Sequence, residues 1–182
     1  MNKKQKIKSL CFDLLFMILL IIFDQVTKYY AVIKLKNQQA FNIINGFLEF
    51  NYLENRGAAF GMLQNQKIFF VFIAVIFLVV IAYVLYKVPN DRKYYKLHIL
   101  AIMISAGAIG NLIDRLRFDY VVDFIYFVII NFPIFNVADM YVTIASFVLI
   151  FLVLFVYKDN DFNFLSIHPK KFREYDDLKE KK

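Results

Sequence analysis

The chain has 182 residues, of which 60% are hydrophobic and one is a cysteine, and its formal net charge is +7. A lone cysteine excludes an intramolecular disulfide and a cysteine metal cluster. Several apolar runs approach or reach the ~20 residues that a helix needs to cross a bilayer, which excludes a soluble globular domain. We therefore expect one small helical membrane domain.

The first predicted membrane span runs from about residue 10 to residue 33 and is interrupted by Asp13, Asp24 and Lys28. The basic N-terminus followed by an apolar run resembles a secretory signal. However, no small-residue cleavage site follows the run. We therefore interpret this segment as an uncleaved first span.

Three further spans are predicted at 68–88, 97–117 and 138–157. The predicted fold is an all-α integral membrane protein with four transmembrane helices. Residues 1–157 are expected to form the membrane domain, and residues 158–182 are expected to form a polar cytoplasmic tail.

The segment 41–60, between the first two spans, is expected to form a small extracytoplasmic β-type element. Its stretch FLEFNYL shows the alternation that is typical of a short strand or hairpin. Gly57 would permit a tight turn where the chain returns toward span two. We expect this element to cover the outer face of the helices; a loop without a functional role is the alternative.

The basic residues lie before span one, between spans two and three, and after span four, whereas no Lys or Arg occurs from Phe118 to Val137. This asymmetry is the positive-inside pattern, which predicts that both termini are cytoplasmic. The positive charge therefore orients the protein in the membrane, and a nucleic-acid partner is not expected.

Four aspartates are expected at the same level of the membrane. At about 1.5 Å per residue, Asp114 lies roughly 27 Å from the cytoplasmic start of span three, and Asp139 roughly 28 Å from the cytoplasmic end of span four. Asp24 falls in the outer third of span one, and Asp123 lies in the outer connection. Four carboxylates from three segments thus converge near the outer boundary.

Ionisable residues within or beside membrane spans usually face the bundle interior and mark function. For Asp24 and Asp114 the alternative is a structural ion pair, because Lys28 lies four residues after Asp24 and Arg115 is adjacent to Asp114. Both interpretations remain open for this pair.

Asp123 and Asp139 have no basic residue nearby in the sequence. Two carboxylates a hydrogen bond apart share a proton, since both cannot ionise comfortably. The charged member can take a proton from water while the neutral member polarises a carbonyl, which is metal-free peptide hydrolysis. A carboxylate-only metal site is the alternative. A histidine-based triad is not expected, because His98 and His168 both fall on the cytoplasmic side.

Span three combines small and polar residues. Gly107 and Gly110 predict close packing of this helix against a neighbour. Asn111 and Arg115, four residues apart, share one helix face. A buried asparagine and arginine need partners, and the carboxylates are available.

Five motifs resemble, in order and spacing, those of lipoprotein signal peptidase, also called signal peptidase II, over about residues 10–157. They are DQVTK (24–28), NYLENRGAAF (51–60), GAIGNLIDR (107–115), VVDF (121–124) and FNVAD (135–139). Ala106 departs from the family pattern, which often has a glycine there, and this affects only helix packing.

The resemblance implies an aspartic endopeptidase that cleaves diacylglyceryl-modified prolipoproteins just before the lipid-modified cysteine. It implies that Asp123 and Asp139 form the catalytic pair. The other matched positions would support the site or the structure: Asn55, Asn111, Arg115, Asn136, Asp24, Lys28, Gly57 and Asp114.

The resemblance also implies a bacterial cytoplasmic membrane location, with the active site at the outer face and membrane lipid around it. No cofactor or metal is expected, and we expect a monomer. Phe60, Phe124, Tyr126 and Phe127 would suit either a groove for acyl chains or an interfacial aromatic belt.

Two hypotheses from other classes remain. One is a transporter or channel subunit that uses the carboxylates as a proton relay, but it needs polar residues through the bilayer, which span two lacks over most of its length. The other is a non-catalytic membrane assembly factor.

Overall fold

The computed structural model describes residues 3–57, 62–89 and 91–165, with the backbone alone for 3–10. The predictions for Phe60, His168 and the rest of 166–182 therefore lie outside the described residues. The elements, in chain order, are α1 (Lys3–Leu35), β1 (Phe41–Ile44), β2 (Leu48–Asn55), α2 (Lys67–Lys87), α3 (Tyr95–Phe118), β3 (Val121–Phe127) and α4 (Val137–Phe155).

Within the described residues, three helical segments are long and apolar enough to cross a membrane: α2, Arg92–Phe118 and α4. The most apolar is α2, with a mean hydropathy of 3.3. Helix α1 has 33 residues, but Asp13, Asp24 and Lys28 interrupt its apolar run. The protein is thus mostly helical, with membrane-length apolar helices and one long helix that carries charges.

Helix α3 is central, because α1, α2 and α4 all pack against it. Its glycines determine how closely two of these helices approach. A Cβ atom at Gly107 would lie 2.4 Å from the carbonyl oxygen of Ala138 in α4, and one at Gly110 would lie 2.5 Å from a carboxylate oxygen of Asp24 in α1. The predicted packing role of these glycines is confirmed.

The three strands form one antiparallel sheet in the order β1–β2–β3. Strands β1 and β2 confirm the strand or hairpin expected within 41–60. Strand β3 was not anticipated, because the sequence VVDFIYF lacks polar alternation. The structure gives the reason: Val122 and Phe124 pack against α1 around Ala31, while Asp123 and Ile125 line a cavity on the opposite face.

At the opposite end of the helices, the residues after α4 fold back onto the start of α3. A 3-10 segment, Asp159–Leu165, follows the helix, and Asp161 pairs with Lys93. The Tyr157 hydroxyl donates to the Lys93 carbonyl at 2.8 Å, and its ring stacks on Tyr94 with a centroid separation of 6.0 Å. The described beginning of the predicted tail therefore packs against the helical domain.

The close approach of α3 and α4 can be tested with Gly107→Ala. We expect about 1–3 kcal/mol of destabilisation, because the added methyl must displace the α4 backbone. Thermal unfolding in detergent micelles measures this effect. Ala82→Val, which enlarges an exposed side chain on α2, is the control and should unfold like the parent; equal stability of both variants would contradict the packing role.

Candidate active site

Asp123 and Asp139 reach the same cavity from two different elements. Asp123 is in the middle of β3, and strand alternation places Ile125 and Phe127 on the same side. Asp139 lies in the first turn of α4. The side chain of Asp123 is buried, whereas that of Asp139 is half-buried and borders the open volume.

Neutral amides contact all four oxygens of these two carboxylates. Asp123 accepts hydrogen bonds from the side-chain amides of Asn55 at 2.8 Å and Asn136 at 2.6 Å. Asp139 accepts from the side-chain amide of Asn111 at 2.7 Å and from the backbone N–H of Asn136 at 3.1 Å. Asn136 therefore contacts both carboxylates and fixes their relative position.

The beginning of α4 places Asn136 where it can contact both carboxylates. Asn136 is the N-cap residue, and its side-chain oxygen accepts from the backbone N–H of Asp139 at 3.0 Å. The Asp139 carboxylate in turn accepts from the backbone N–H of Asn136, so the two residues form a capping box. The amide group of Asn136 is thereby left to face Asp123, and Asp139 lies at the positive end of the helix dipole.

Asn111 connects these two carboxylates to a buried cation. Its side-chain oxygen accepts from the Lys28 ammonium at 2.8 Å and from Asn136 at 3.1 Å. Because both contacts are made by donors, the oxygen of Asn111 must face them, and its amide nitrogen must face Asp139.

Lys28, Asp24 and Asp114 form a buried ionic cluster. The Lys28 nitrogen lies 3.0 Å from a carboxylate oxygen of each aspartate, and the three residues are 3%, 0% and 1% exposed. Asp24 also accepts from the backbone N–H of Ala138 at 2.9 Å, and Asp114 from that of Val122 at 3.1 Å. The cluster therefore joins α1 and α3 to the start of α4 and to β3. The cation that pairs with Asp114 is Lys28 rather than the adjacent Arg115.

Gln25 also belongs to this cluster and was not predicted from the sequence. Its side-chain amide donates to Asp114 at 2.9 Å and to the Gly110 carbonyl at 3.2 Å, and it also lies 3.2 Å from Asp24. It separates two carboxylates that would otherwise repel each other. The only sequence signal was its position inside the motif DQVTK.

Gly57 and Arg115 lie beside Asn55 at the polar end of the cavity. The Gly57 N–H donates to the Asn55 side-chain oxygen at 3.0 Å, and the Gly57 carbonyl accepts from Arg115 at 3.4 Å. A Cβ atom at Gly57 would lie 2.4 Å from the Met62 carbonyl oxygen. The turn expected at Gly57 is therefore present, and glycine is required there because the returning chain passes so close.

The cavity has a volume of about 840 Å³. Its polar lining is Asn55, Asn111, Arg115, Asp123 and Asp139, and the rest is largely apolar, from β2, β3, the loop before α4 and one face of α4. Phe127 lines this volume as expected. Phe124 and Tyr126 do not: Phe124 packs with Phe50 against α1, and the Tyr126 hydroxyl donates to Asn131 at 2.7 Å.

Burial raises the pKa of Asp123 to about 7, and the negative charge of Asp139 contributes in the same direction. The amide donors of Asn55 and Asn136 oppose this shift without abolishing it. Asp123 can therefore carry a proton near neutral pH. Among the described residues, no group of three or more His, Cys, Asp or Glu side chains could hold a metal ion.

Comparison with known proteins shows the family of this chain. Residues 16–155 match the family model for signal peptidase (SPase) II. The chain belongs to the signal peptidase II family. As a member of this family, it is a membrane protease of bacterial lipoprotein processing.

Two relatives illustrate how much of the chain the likeness covers. The lipoprotein signal peptidase of Caldanaerobacter subterraneus subsp. tengcongensis is 46% identical over 136 residues, which are 74% of this chain and 90% of the relative. That of Clostridium tetani is 38% identical over 153 residues, or 82% of this chain and 95% of the relative.

Two solved structures, each described as a bacterial membrane enzyme, have a similar fold. One is 35% identical, with a TM-score of 0.69, and covers 80% of this chain and 94% of its own. The other is 34% identical, with a TM-score of 0.68, and the match covers 78% of this chain and 87% of that structure's chain. The membrane character of this signal peptidase II family member is thus supported by both sequence and structure.

The buried cluster leads to a stability prediction. Lys28→Met leaves Asp24 and Asp114 without their cation, and removing one partner of a buried ionic cluster costs about 3–5 kcal/mol. The control is Lys36→Met, which removes a 40% exposed lysine paired with Glu54 and should change the stability little, because exposed ion pairs contribute weakly. Thermal unfolding in detergent compares the two variants; similar losses would show that burial of the cluster is unimportant.

Proposed function

We propose that the protein is an aspartic endopeptidase that removes the signal peptide from diacylglyceryl-modified prolipoproteins, cleaving before the lipid-modified cysteine. The observation that carries this proposal is the placement of Asp123 and Asp139 at the polar end of an otherwise largely apolar cavity. A single residue, Asn136, contacts both carboxylates. Such a cavity suits a substrate that combines a peptide bond with acyl chains.

The proposed reaction needs one proton on the pair of carboxylates. The charged member takes a proton from water, whose oxygen attacks the scissile carbonyl carbon, while the neutral member donates a hydrogen bond to the carbonyl oxygen. The carboxylate that received the proton then gives it to the leaving nitrogen as the peptide bond breaks. The pKa of about 7 at Asp123 supports a singly protonated pair near neutral pH.

The supporting residues would act by position and charge. Asn55, Asn111 and Asn136 donate to the carboxylate oxygens and so hold the two groups in a fixed orientation. Arg115 lies in the cavity wall, where its positive charge would stabilise the negative charge that develops on the substrate carbonyl. Asp24, Lys28 and Asp114 would keep the scaffold in place, with Gly57 allowing close packing of the loop.

We further propose four membrane spans, with α1 as the additional one. At about 1.5 Å per residue its length of roughly 50 Å is sufficient to span a bilayer. Its charges at Asp24 and Lys28 are buried and pair with each other, and Lys28 also pairs with Asp114 of α3. Both termini would be cytoplasmic and the active site would face outward, within a membrane domain of residues 1–157 that carries a polar tail at 158–182. The protein would act as a monomer and without a cofactor.

Asp123→Asn and Asp139→Asn test the catalytic pair. Each variant should lose at least about 100-fold in activity, because a positioned acid or base contributes on the order of 10²–10⁴-fold. The measurement is cleavage of a diacylated prolipoprotein by purified protein, with and without a chelator. Asp119→Asn is the control, since Asp119 is 64% exposed and its left-handed backbone tolerates asparagine. Wild-type activity in either catalytic variant would refute the assignment.

The pH dependence of activity provides a separate test. Because the pKa of Asp123 is raised to about 7, increasing the pH above that value removes the shared proton and leaves two anions and no acid. We expect kcat/KM to fall through this range, and to fall again at acidic pH when both groups are protonated. A profile that stays level from about pH 6 to pH 9 would be inconsistent with a shared proton.

A further inference from the structure

Aromatic side chains meet where α4 ends, at the end of the helices opposite the candidate active site. The ring of Tyr157 stacks on Tyr94 at 6.0 Å and packs edge-on against Phe162 at 5.7 Å. Phe164 packs edge-on against Tyr94 at 5.5 Å. These centroid separations lie in the range that aromatic pairs favour. We refer to the following residues as the clasp: Lys93, Tyr94, Tyr157, Asp161, Phe162 and Phe164.

Polar contacts in the clasp join the end of α4 to the turn that begins α3. The Tyr94 hydroxyl donates to the Asp161 carbonyl at 3.0 Å, and the Tyr157 hydroxyl donates to the Lys93 carbonyl at 2.8 Å. The Asp161 carboxylate pairs with the Lys93 ammonium and accepts from the Lys158 backbone N–H at 3.0 Å. Each side of the clasp therefore supplies a donor and an acceptor to the other, which specifies one relative position.

The clasp also packs against three helices. Phe162 and Phe164 lie against a hydrophobic cluster. The cluster contains Ile81 of α2, Leu97 of α3 and Leu152 of α4. Ile81 is the single buried residue of α2, all of whose residues are described. The most deeply packed part of α2 is thus the part that lies beside the clasp.

Helix α4 has polar contacts with the rest of the fold at both of its ends. At its start, Asp24 accepts from the Ala138 backbone N–H at 2.9 Å, and Asn111 donates to Asp139 at 2.7 Å. The clasp supplies the contacts at the other end. The helix between them is apolar, with a mean hydropathy of 2.3. Because lipid is as apolar as these side chains, its association with other helices depends on close packing and hydrogen bonds.

The two ends of α4 are mechanically connected. The helix has 19 residues, which is roughly 28 Å at about 1.5 Å per residue, and its backbone hydrogen bonds make it tilt or slide as one body. If the end near the clasp is released, a tilt or slide of the helix changes the position of Asp139 relative to Asn111 and Asp123.

We propose that the clasp is a positioning element, which holds the end of α4 on α2 and α3 and thereby keeps Asp139 aligned with Asn111 and Asp123. Three of its aromatic and acidic residues lie beyond residue 155, where the match to the family model ends. The residues matched to the family therefore do not make this contact by themselves. The alignment of α4 does not depend on the proposed function, whereas the effect on catalysis rests on it.

Hydrogen–deuterium exchange of the full chain in lipid vesicles tests the alignment without an activity assay. The reporters are the backbone amides of Ala138 and Asp139, which donate to Asp24 and to the Asn136 side chain. Loss of the clasp should accelerate their exchange by roughly 5-fold or more, because local opening controls exchange. The paired amides of β2 and β3 are the reference and should exchange as in the parent.

The test variant is Phe162→Ala/Phe164→Ala, which removes two rings of the clasp. The matched control is Asn163→Ala/Leu165→Ala, which changes two exposed neighbours in the same segment and should exchange like the parent. Tyr157→Phe, which removes only one hydroxyl, should give a smaller change in the same direction and provides the test if the double variant does not fold. Parental exchange at the start of α4 would overturn the proposal. An equal acceleration in the strands would also overturn it, because the whole domain would then be destabilised.

Enzyme kinetics test the consequence for catalysis. With a diacylated prolipoprotein, Phe162→Ala/Phe164→Ala should lower kcat on the order of 10-fold with little change in KM, since misplacing a catalytic group by about 1 Å can cost about 100-fold. The assay is run well below the unfolding temperature of each variant. A variant that unfolds earlier but keeps the parent's kcat would show that the clasp only stabilises the fold. If the parent cleaves nothing, the proposed function fails, and the exchange measurement still decides whether the clasp aligns α4.

Discussion

The arrangement of this protein depends on one buried ammonium group. Lys28 lies 3.0 Å from both Asp24 and Asp114 and 2.8 Å from the side-chain oxygen of Asn111. Transferring three charges out of water is costly, and their mutual attraction offsets that cost only if further hydrogen bonds satisfy the remaining polar atoms. Here backbone N–H groups of β3 and α4 supply those bonds. The cluster thus fixes the two elements that carry the catalytic candidates.

Aspartate side chains occur here in two different environments. Asp24 and Asp114 each have a cation at 3.0 Å and take part in buried ion pairs. Asp123 is contacted by neutral amides, and its pKa rises to about 7. The nearest link between the two groups is Asn111, which accepts from Lys28 and donates to Asp139. One amide group thus lies between the buried cation and the candidate catalytic pair.

The sheet carries polar and apolar side chains in different places. One face of β3 packs on α1 and the opposite face lines the cavity, so a single strand connects the hydrophobic core with the polar site. Along the sheet, ion pairs lie at one end and large exposed apolar residues at the other. The cavity therefore combines a polar group of side chains with a largely apolar lining.

The long apolar helices and the packing of the α3 glycines could be predicted from the sequence, because helix length follows from local composition and small residues permit close approach. The orientation in the membrane and the depths of Asp24, Asp114 and Asp139 stay predictions, which rest on the basic residues and on the constant rise of a helix. The tertiary structure alone decided that β3 is a strand, that Lys28 rather than Arg115 pairs with Asp114, that Gln25 joins the cluster, and that Asn136 contacts both candidate catalytic aspartates. These features depend on contacts between residues that are far apart in the chain, and the strand has no polar alternation because one face packs on α1 and the other lines a largely apolar cavity.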